Sequence, residues 1–379
     1  MRVVYVAGVG LTPVGEHWNQ SLRELAVEAV QAVQHDAPNH KPEALFVANM
    51  LAGELSHQEH LGALIADFAG LRGIEAATVE AAGASGGAAL RQAVLAVSSG
   101  LIETALVVGV EKMTDKVGAG ALAASTTASD SDWEAAQGAT PTALAALLMR
   151  RYMHTHHVEL KDFAGFSVNA HANAKTNPNA MFRNTLTAES YLKAGMIADP
   201  INMFDSAPDA DGAAALLISA RPSAVRVAAS AMATDTLAVH DREDLLLFKA
   251  AQLSAQKAYQ QAGLGPESIN VLELHDAFTV FAALSLEACG FAGYGEGYTL
   301  AQNGSITRTG RLPIATFGGL KARGNPGGAT GVYQVAEIVL QLRGAAGPNQ
   351  IANARWGLAQ CLGGVGATAA THIFERVSG

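Results

Sequence analysis

Gly83-Ala84-Ser85-Gly86 and Gly328-Ala329-Thr330-Gly331 are near copies of one another, and each opens an apolar stretch of helical periodicity, residues 88–97 in the first case and 332–342 in the second. Each also follows an apolar, strand-like run, residues 76–79 and 312–317. A strand, a tight small-residue turn and a buried helix therefore occur twice, once in each half of the chain. That is the signature of internal duplication. Outward from these copies, the same alternation continues. Further strands are expected at 2–8, 44–47, 104–110 and 211–218 in the first half, and at 225–229, 271–274, 355–360 and 368–374 in the second. Helices are expected at 21–35, 60–71, 142–154, 245–262 and 281–289. Apolar strands alternating with helices build an α/β fold whose sheets are covered by helices. Such sheets bind ligands at the ends of their strands. From 111 to about 200 the chain turns polar, rich in Ser, Thr, Asp, His and Asn, and reads as a loop domain inserted into the first half. The halves are expected at 1–221 and 222–379.

Composition narrows the function. Of the 379 residues, 49% are hydrophobic and 16% charged, and 39 are glycine, which suits a large buried core with many tight turns. The net charge is −9 with no basic cluster, so nucleic acid is not expected as a partner. No apolar run approaches the ~18 residues needed to span a bilayer. Residues 1–8 read as a buried first strand and not as a signal peptide. The two cysteines, Cys289 and Cys361, lie far apart at no metal-ligand spacing. The expectation is a reduced cytoplasmic chain with free thiols and no metal.

A small-residue turn that opens a helix points backbone N–H groups outward at the positive end of the helix dipole, which suits a nucleophile or an oxyanion. Polar groups stand at other strand ends. His275 directly follows the strand ending at 274, and Asn325 sits in the turn Gly324-Asn325-Pro326-Gly327-Gly328. Cys361 follows the run ending at 360 and precedes Leu362-Gly363-Gly364-Val365-Gly366. A neutral imidazole and an amide can hold an enolate or alkoxide oxygen. A thiol of lowered pKa can shuttle an α-proton. Each also has a plainer reading: a structural His, an Asn suited to a left-handed turn, a thiol packed as an apolar group, a glycine filling a strained turn. Cys289 reads as core. His57, His60, His154, His156, His157 and His171 read as surface or loop residues.

Taken in order, these motifs resemble the thiolase superfamily, the thiolases and β-ketoacyl synthases. The resemblance spans the whole chain. It is carried also by Asp209-Ala210-Asp211-Gly212-Ala213-Ala214, by Asn177-Pro178, by His275-Asp276-Ala277-Phe278, and by the run from Gly318 to Pro326. It points to the archaeal-type and sterol-carrier-protein-like acetyl-CoA acetyltransferases. It implies a duplicated five-layer αβαβα fold and an acyltransferase that makes or reverses a Claisen condensation on a coenzyme A thioester. It implies acyl-CoA as ligand, a homodimer or tetramer, and a separate zinc-ribbon/OB-fold partner protein.

The family places its nucleophilic cysteine first in a Cys-Ala-Ser-Gly turn, and here that residue is Gly83. An acyl-enzyme cannot form on glycine, so this form is expected to be impaired. A thiol restored at position 83 is expected to be acylated. Where thiolases carry Gly-His-Pro, this chain has Gly324-Asn325-Pro326. With His275, that order resembles β-ketoacyl synthase III, where both side chains donate to a thioester carbonyl oxygen. Cys361 matches the second, acid/base cysteine of thiolases. Two other readings follow. One is a cysteine-independent lyase or decarboxylase in which His275 and Asn325 stabilise an enolate. Steroid side-chain aldolases of the superfamily differ around the glycine-rich turn, which here keeps the thiolase-like form. The other is a non-catalytic partner subunit of a thiolase-like complex.

Overall fold

The computed structural model describes residues 2–377. Nine strands form one sheet: β1 (Tyr5–Leu11), β2 (Ala44–Ala48), β3 (Glu75–Val79), β4 (Thr104–Glu111), β5 (Gly212–Ser219), β6 (Val225–Thr234), β7 (Val271–Leu274), β8 (Trp356–Gly363) and β9 (Thr368–Arg376). Their order is β3-β2-β4-β5-β1-β6-β9-β8-β7. The halves meet where Tyr5 and Val6 of β1 pair with Arg226 and Val225 of β6. Outward from that seam, each half repeats one pattern. Antiparallel steps come first, β1 to β5 to β4 and β6 to β9 to β8. Parallel steps follow, β4 to β2 to β3 and β8 to β7. The sheet itself therefore carries the duplication.

The main helices are α1 (Leu22–Asp36), α2 (Leu61–Phe68), α3 (Ser85–Ser99), α4 (Pro141–His156), α5 (Ala164–Ala174), α6 (Lys249–Ala262), α7 (Thr279–Ala288) and α8 (Thr330–Arg343). α1 starts at a capping box, in which Ser21 and Glu24 satisfy each other's backbone N–H. It buries Leu22, Leu25, Ala26, Ala29, Val30 and Val33 against the first-half strands. α6 covers β6 and β9 on the opposite side, with α7 packed on α6. α3 and α8 touch strands of both halves and lie between them. With the one sheet counted by its two halves, the layers run helix, half-sheet, helix, half-sheet, helix.

The two central helices meet backbone to backbone. A Cβ added to Gly86 would lie 2.6 Å from Val332 N and 2.8 Å from Gly331 Cα. No residue but glycine fits there, which accounts for the copied turns.

Residues 312–317 differ from the expected strand. They contribute one parallel bridge, Leu272 with Ile314. Leu272 N donates to the Pro313 carbonyl at 3.0 Å, but Pro313 has no N–H to return. Ala315, at φ 50°, then turns the chain away. In the polar insert, α4 starts at a Thr140 cap with Pro141 in its first turn. His171 is buried on α5, with Nδ1 3.1 Å from the Asn184 carbonyl oxygen, and is not the surface residue expected.

Candidate active site

A cavity of about 200 Å³ opens at the strand ends between the halves. Gly83, His275, Asn325, Asp209 and Ser206 line it, with Phe278, Phe281, Leu51, Met113 and Leu362 as apolar walls.

The fully buried strand β7 delivers His275 to its end. The Cε1–Nε2 edge of the ring lies against Gly83. A Cβ on Gly83 would sit 2.8 Å from His275 Cε1, 3.2 Å from its Nε2 and 2.7 Å from the Leu362 carbonyl oxygen. The imidazole thus occupies the room a side chain at position 83 would need, and the expected acylation of a thiol placed there meets a steric obstacle. Burial, helped by the nearby Arg323 guanidinium, pushes the His275 imidazole down to about 3, so the ring is neutral. A neutral ring has one N–H. With Nδ1 buried and unpartnered among the described residues, the proton on Nε2 is the one that can point into the cavity.

Asn325 is held by its copy of the turn. Thr330 Oγ1 donates to Asn325 Oδ1 at 2.8 Å. That contact orients the amide and leaves Nδ2 as the donor for the cavity. In the first copy the equivalent hydroxyl serves its own backbone: Ser85 Oγ donates to the Ala82 carbonyl at 2.6 Å and accepts from Ala81 N at 2.9 Å. One duplicated hydroxyl now does two jobs.

Cys361 is not brought to this cavity. It lies within β8 and not after it, because the strand continues to Gly363. Successive strand residues face opposite ways, so Leu362 lines the cavity and Cys361 turns to the central helices. A Cβ on Gly87 or Gly331 would be 2.4 Å or 2.9 Å from its Sγ. Burial pushes this thiol up to about 12, opposite to the lowering expected. Cys289 is buried core.

Sequence reading passed over Glu111, and quoted Asp211 and Asp276 only within longer motifs without a role for either. Glu111, at the end of β4, accepts from Met50 N at 2.9 Å, Leu51 N at 3.1 Å, Asn49 Nδ2 at 2.7 Å and Gly328 N at 2.9 Å. It ties a first-half loop to the second-half turn. Burial raises its carboxyl to about 7 in spite of those donors. The only hint was a charge at the end of an apolar strand. Asp211 binds Lys112 Nζ at 2.8 Å, Met113 N at 2.7 Å and Thr114 N at 2.9 Å. Asp276 accepts from Leu320 N at 2.8 Å and anchors the run into Asn325. Beneath His275 lies a buried ion pair, Arg323 with Glu337 at 2.7 Å.

Two side chains that can donate a hydrogen bond without carrying charge, those of His275 and Asn325, thus line one mostly apolar cavity. Donors set in advance where negative charge develops stabilise an enolate or alkoxide.

Comparison with known proteins shows the family. Residues 4–222 match the family model for the thiolase N-terminal domain, and residues 231–376 match that for the thiolase C-terminal domain-like region. The chain is similar to an acetyl-CoA acetyltransferase of Methanothermobacter thermautotrophicus, 43% identical over 385 residues, covering 99% of this chain and 100% of the relative. It is similar to an acetyl-CoA acetyltransferase of Methanocaldococcus jannaschii, 39% identical over 392 residues, covering 99% of each. Among solved structures, it is similar to one described as an Ltp2-ChsH2(DUF35) aldolase, with TM-score 0.83, 26% identity, and 99% of this chain and 98% of that one covered.

Proposed function

The chain belongs to the thiolase family, and from that premise we propose that it makes or breaks a carbon–carbon bond beside a coenzyme A thioester carbonyl without an acyl-enzyme at position 83. Its ligand class is that of the acetyl-CoA acetyltransferases it resembles, and its first step differs from theirs. The thioester carbonyl oxygen sits between His275 Nε2–H and Asn325 Nδ2–H. As C2 gains carbanion character, the charge moves onto that oxygen and both donors tighten. The carbon–carbon step then occurs directly on the bound thioester. Cys361, outside the cavity and fully protonated, takes no part.

One observation carries the reading: position 83 has neither a nucleophile nor room for one, because His275 and the Leu362 carbonyl fill it. Intact-protein mass spectrometry after incubation with acetyl-CoA or acetoacetyl-CoA tests it. The protein mass stays unchanged while thioester is consumed. An acyl adduct that forms and decays with turnover would sink the proposal.

A lyase direction is favoured by the likeness to an aldolase structure at TM-score 0.83. That neighbour's description also names a DUF35 component, which supports a separate partner protein for this chain. A homodimer is supported by β3, a sheet-edge strand with Glu75 to Thr78 exposed, since an unpaired edge is a ready pairing surface. A cytoplasmic setting is supported by two free cysteines.

A further inference from the structure

Asp209 lies beside Asn325. The two residues pair in a parallel bridge, with Asn325 N donating to the Pro208 carbonyl at 3.0 Å and Ala210 N to the Asn325 carbonyl at 3.2 Å. Residues opposite one another in such a bridge point to the same face, and both line the cavity that holds Gly83 and His275. The other strand-end carboxylates are committed: Glu111 to loop N–H groups, Asp211 to Lys112 and Thr114, Asp276 to Leu320 N. Asp209 is not. Nothing but the surrounding protein acts on its carboxyl, with no hydrogen bond or ion pair among the described residues. Among those residues, His275 and Asp209 are the only ionisable side chains lining the cavity. His275 serves as a neutral donor. One group remains to move a proton.

We infer that Asp209 is the acid–base catalytic residue of this site, and that the substrate it suits is a β-hydroxyacyl thioester of coenzyme A. The inference rests on the enolate reading above. The Asp209 carboxylate takes the proton of the C3 hydroxyl. The C3–O bond becomes a carbonyl, and the C2–C3 bond breaks. Its electron pair forms the C1–C2 double bond, leaving the enolate oxygen between His275 Nε2 and Asn325 Nδ2. Protonated Asp209 then returns the same proton to C2. An aldehyde or ketone and a shortened acyl thioester result, and the carboxylate is regenerated. Nothing else is consumed. A β-ketoacyl thioester has no such proton to give and needs an external nucleophile at C3. A β-hydroxyacyl thioester needs only what this cavity holds.

The protein around Asp209 pushes its carboxyl above the usual carboxylate range. The side chain stays open to the cavity, so that push is partial. It moves the group toward the operating pH, where proton transfer is efficient.

The test uses the full chain with two probes. The first is acetyl-CoA in deuterated buffer, with methyl-proton loss followed by NMR. The second is 3-hydroxy-3-phenylpropanoyl-CoA, whose aromatic tail matches the Phe278 and Phe281 walls, with benzaldehyde release followed by absorbance. Asp209→Asn should slow both by ~10²–10⁴-fold, the range for losing a positioned acid–base group. Its circular dichroism and calorimetric acetyl-CoA affinity should match those of the parent. Asp209→Glu should keep part of the activity. Exchange at the parental rate in Asp209→Asn, with exchange lost in Asn325→Ala, overturns the role of Asp209 and leaves the enolate reading standing. A parent that binds acetyl-CoA but neither exchanges nor cleaves overturns the enolate reading as well. Asp209-dependent exchange without benzaldehyde overturns the β-hydroxyacyl assignment.

Discussion

Restoring the missing thiol should weaken the protein before it helps it. In Gly83→Cys the new Cβ meets the Leu362 carbonyl oxygen at 2.7 Å and His275 Cε1 at 2.8 Å. Overpacking a tight site costs about 1–3 kcal/mol. Gly83 is not among the residues with left-handed backbone, so replacing glycine returns ~0.5–1 kcal/mol of backbone entropy. The net loss is about 0–2.5 kcal/mol, read as a lower urea midpoint at unchanged slope. His275→Ala frees one side of the clash and leaves the Leu362 carbonyl in place. Gly83→Cys should therefore cost less in that background, with a coupling of about 0.5–3 kcal/mol between the two positions. Acyl capture by Gly83→Cys alone should remain at background in mass spectra, because the imidazole must leave before an acyl group can enter. Parental stability of Gly83→Cys, no coupling with His275→Ala and high acyl occupancy would together refute the steric argument.

Asn325→Ala should lower the carbon–carbon step by ~10²–10³-fold, the scale for losing one oxyanion donor. Thr330→Val, which loses only the contact that orients the amide, should cost less, near the ~1 kcal/mol of one hydrogen bond; equal losses in steady-state rate would contradict that division. Arg323→Met leaves Glu337 buried without its partner and should destabilise by ~3–5 kcal/mol in equilibrium unfolding. His372 is buried, and its imidazole is pushed from 6.5 to about 3 by burial and then by Arg91. The unfolded ring gains a proton below about 6.5 and the folded ring only near 3, so stability falls as pH drops through that window, by at most ~1.4 kcal/mol per pH unit. His372→Gln removes a titrating group and keeps a donor for the Gly87 carbonyl, so its urea midpoint should decline less steeply between about pH 6 and 4. Identical slopes would exclude the buried imidazole as the cause.

The repeated turns were legible because the close approach of two backbones at Gly86 and Gly331 demands glycine in both copies. The place of His275 on the cavity wall was legible because it directly follows an apolar strand, and strand ends of such sheets face the ligand crevice. Asn325 stood out through its turn. Cys361 was misplaced for a physical reason: Gln360, Cys361 and Leu362 all fit a strand, and a one-residue change in where it ends reverses the face of each side chain. In residues 312–317 the apolar pattern outweighed the missing N–H of Pro313. Asp209 and Glu111 gain their meaning from neighbours more than a hundred residues away, Asn325 and Gly328, and no local pattern encodes such pairs.

The contact between α3 and α8 has a consequence for how the chain comes to exist. The face of α3 that Val332 and Gly331 cover stays bare until the ribosome has delivered the last turn of α8 at Arg343. Through most of synthesis the nascent first half carries an open apolar wound, the kind of surface that aggregates or recruits chaperones. The pattern is double, but each half covers surface of the other. A cut between the family-matched segments, after residue 222, would yield two fragments that persist only in each other's company.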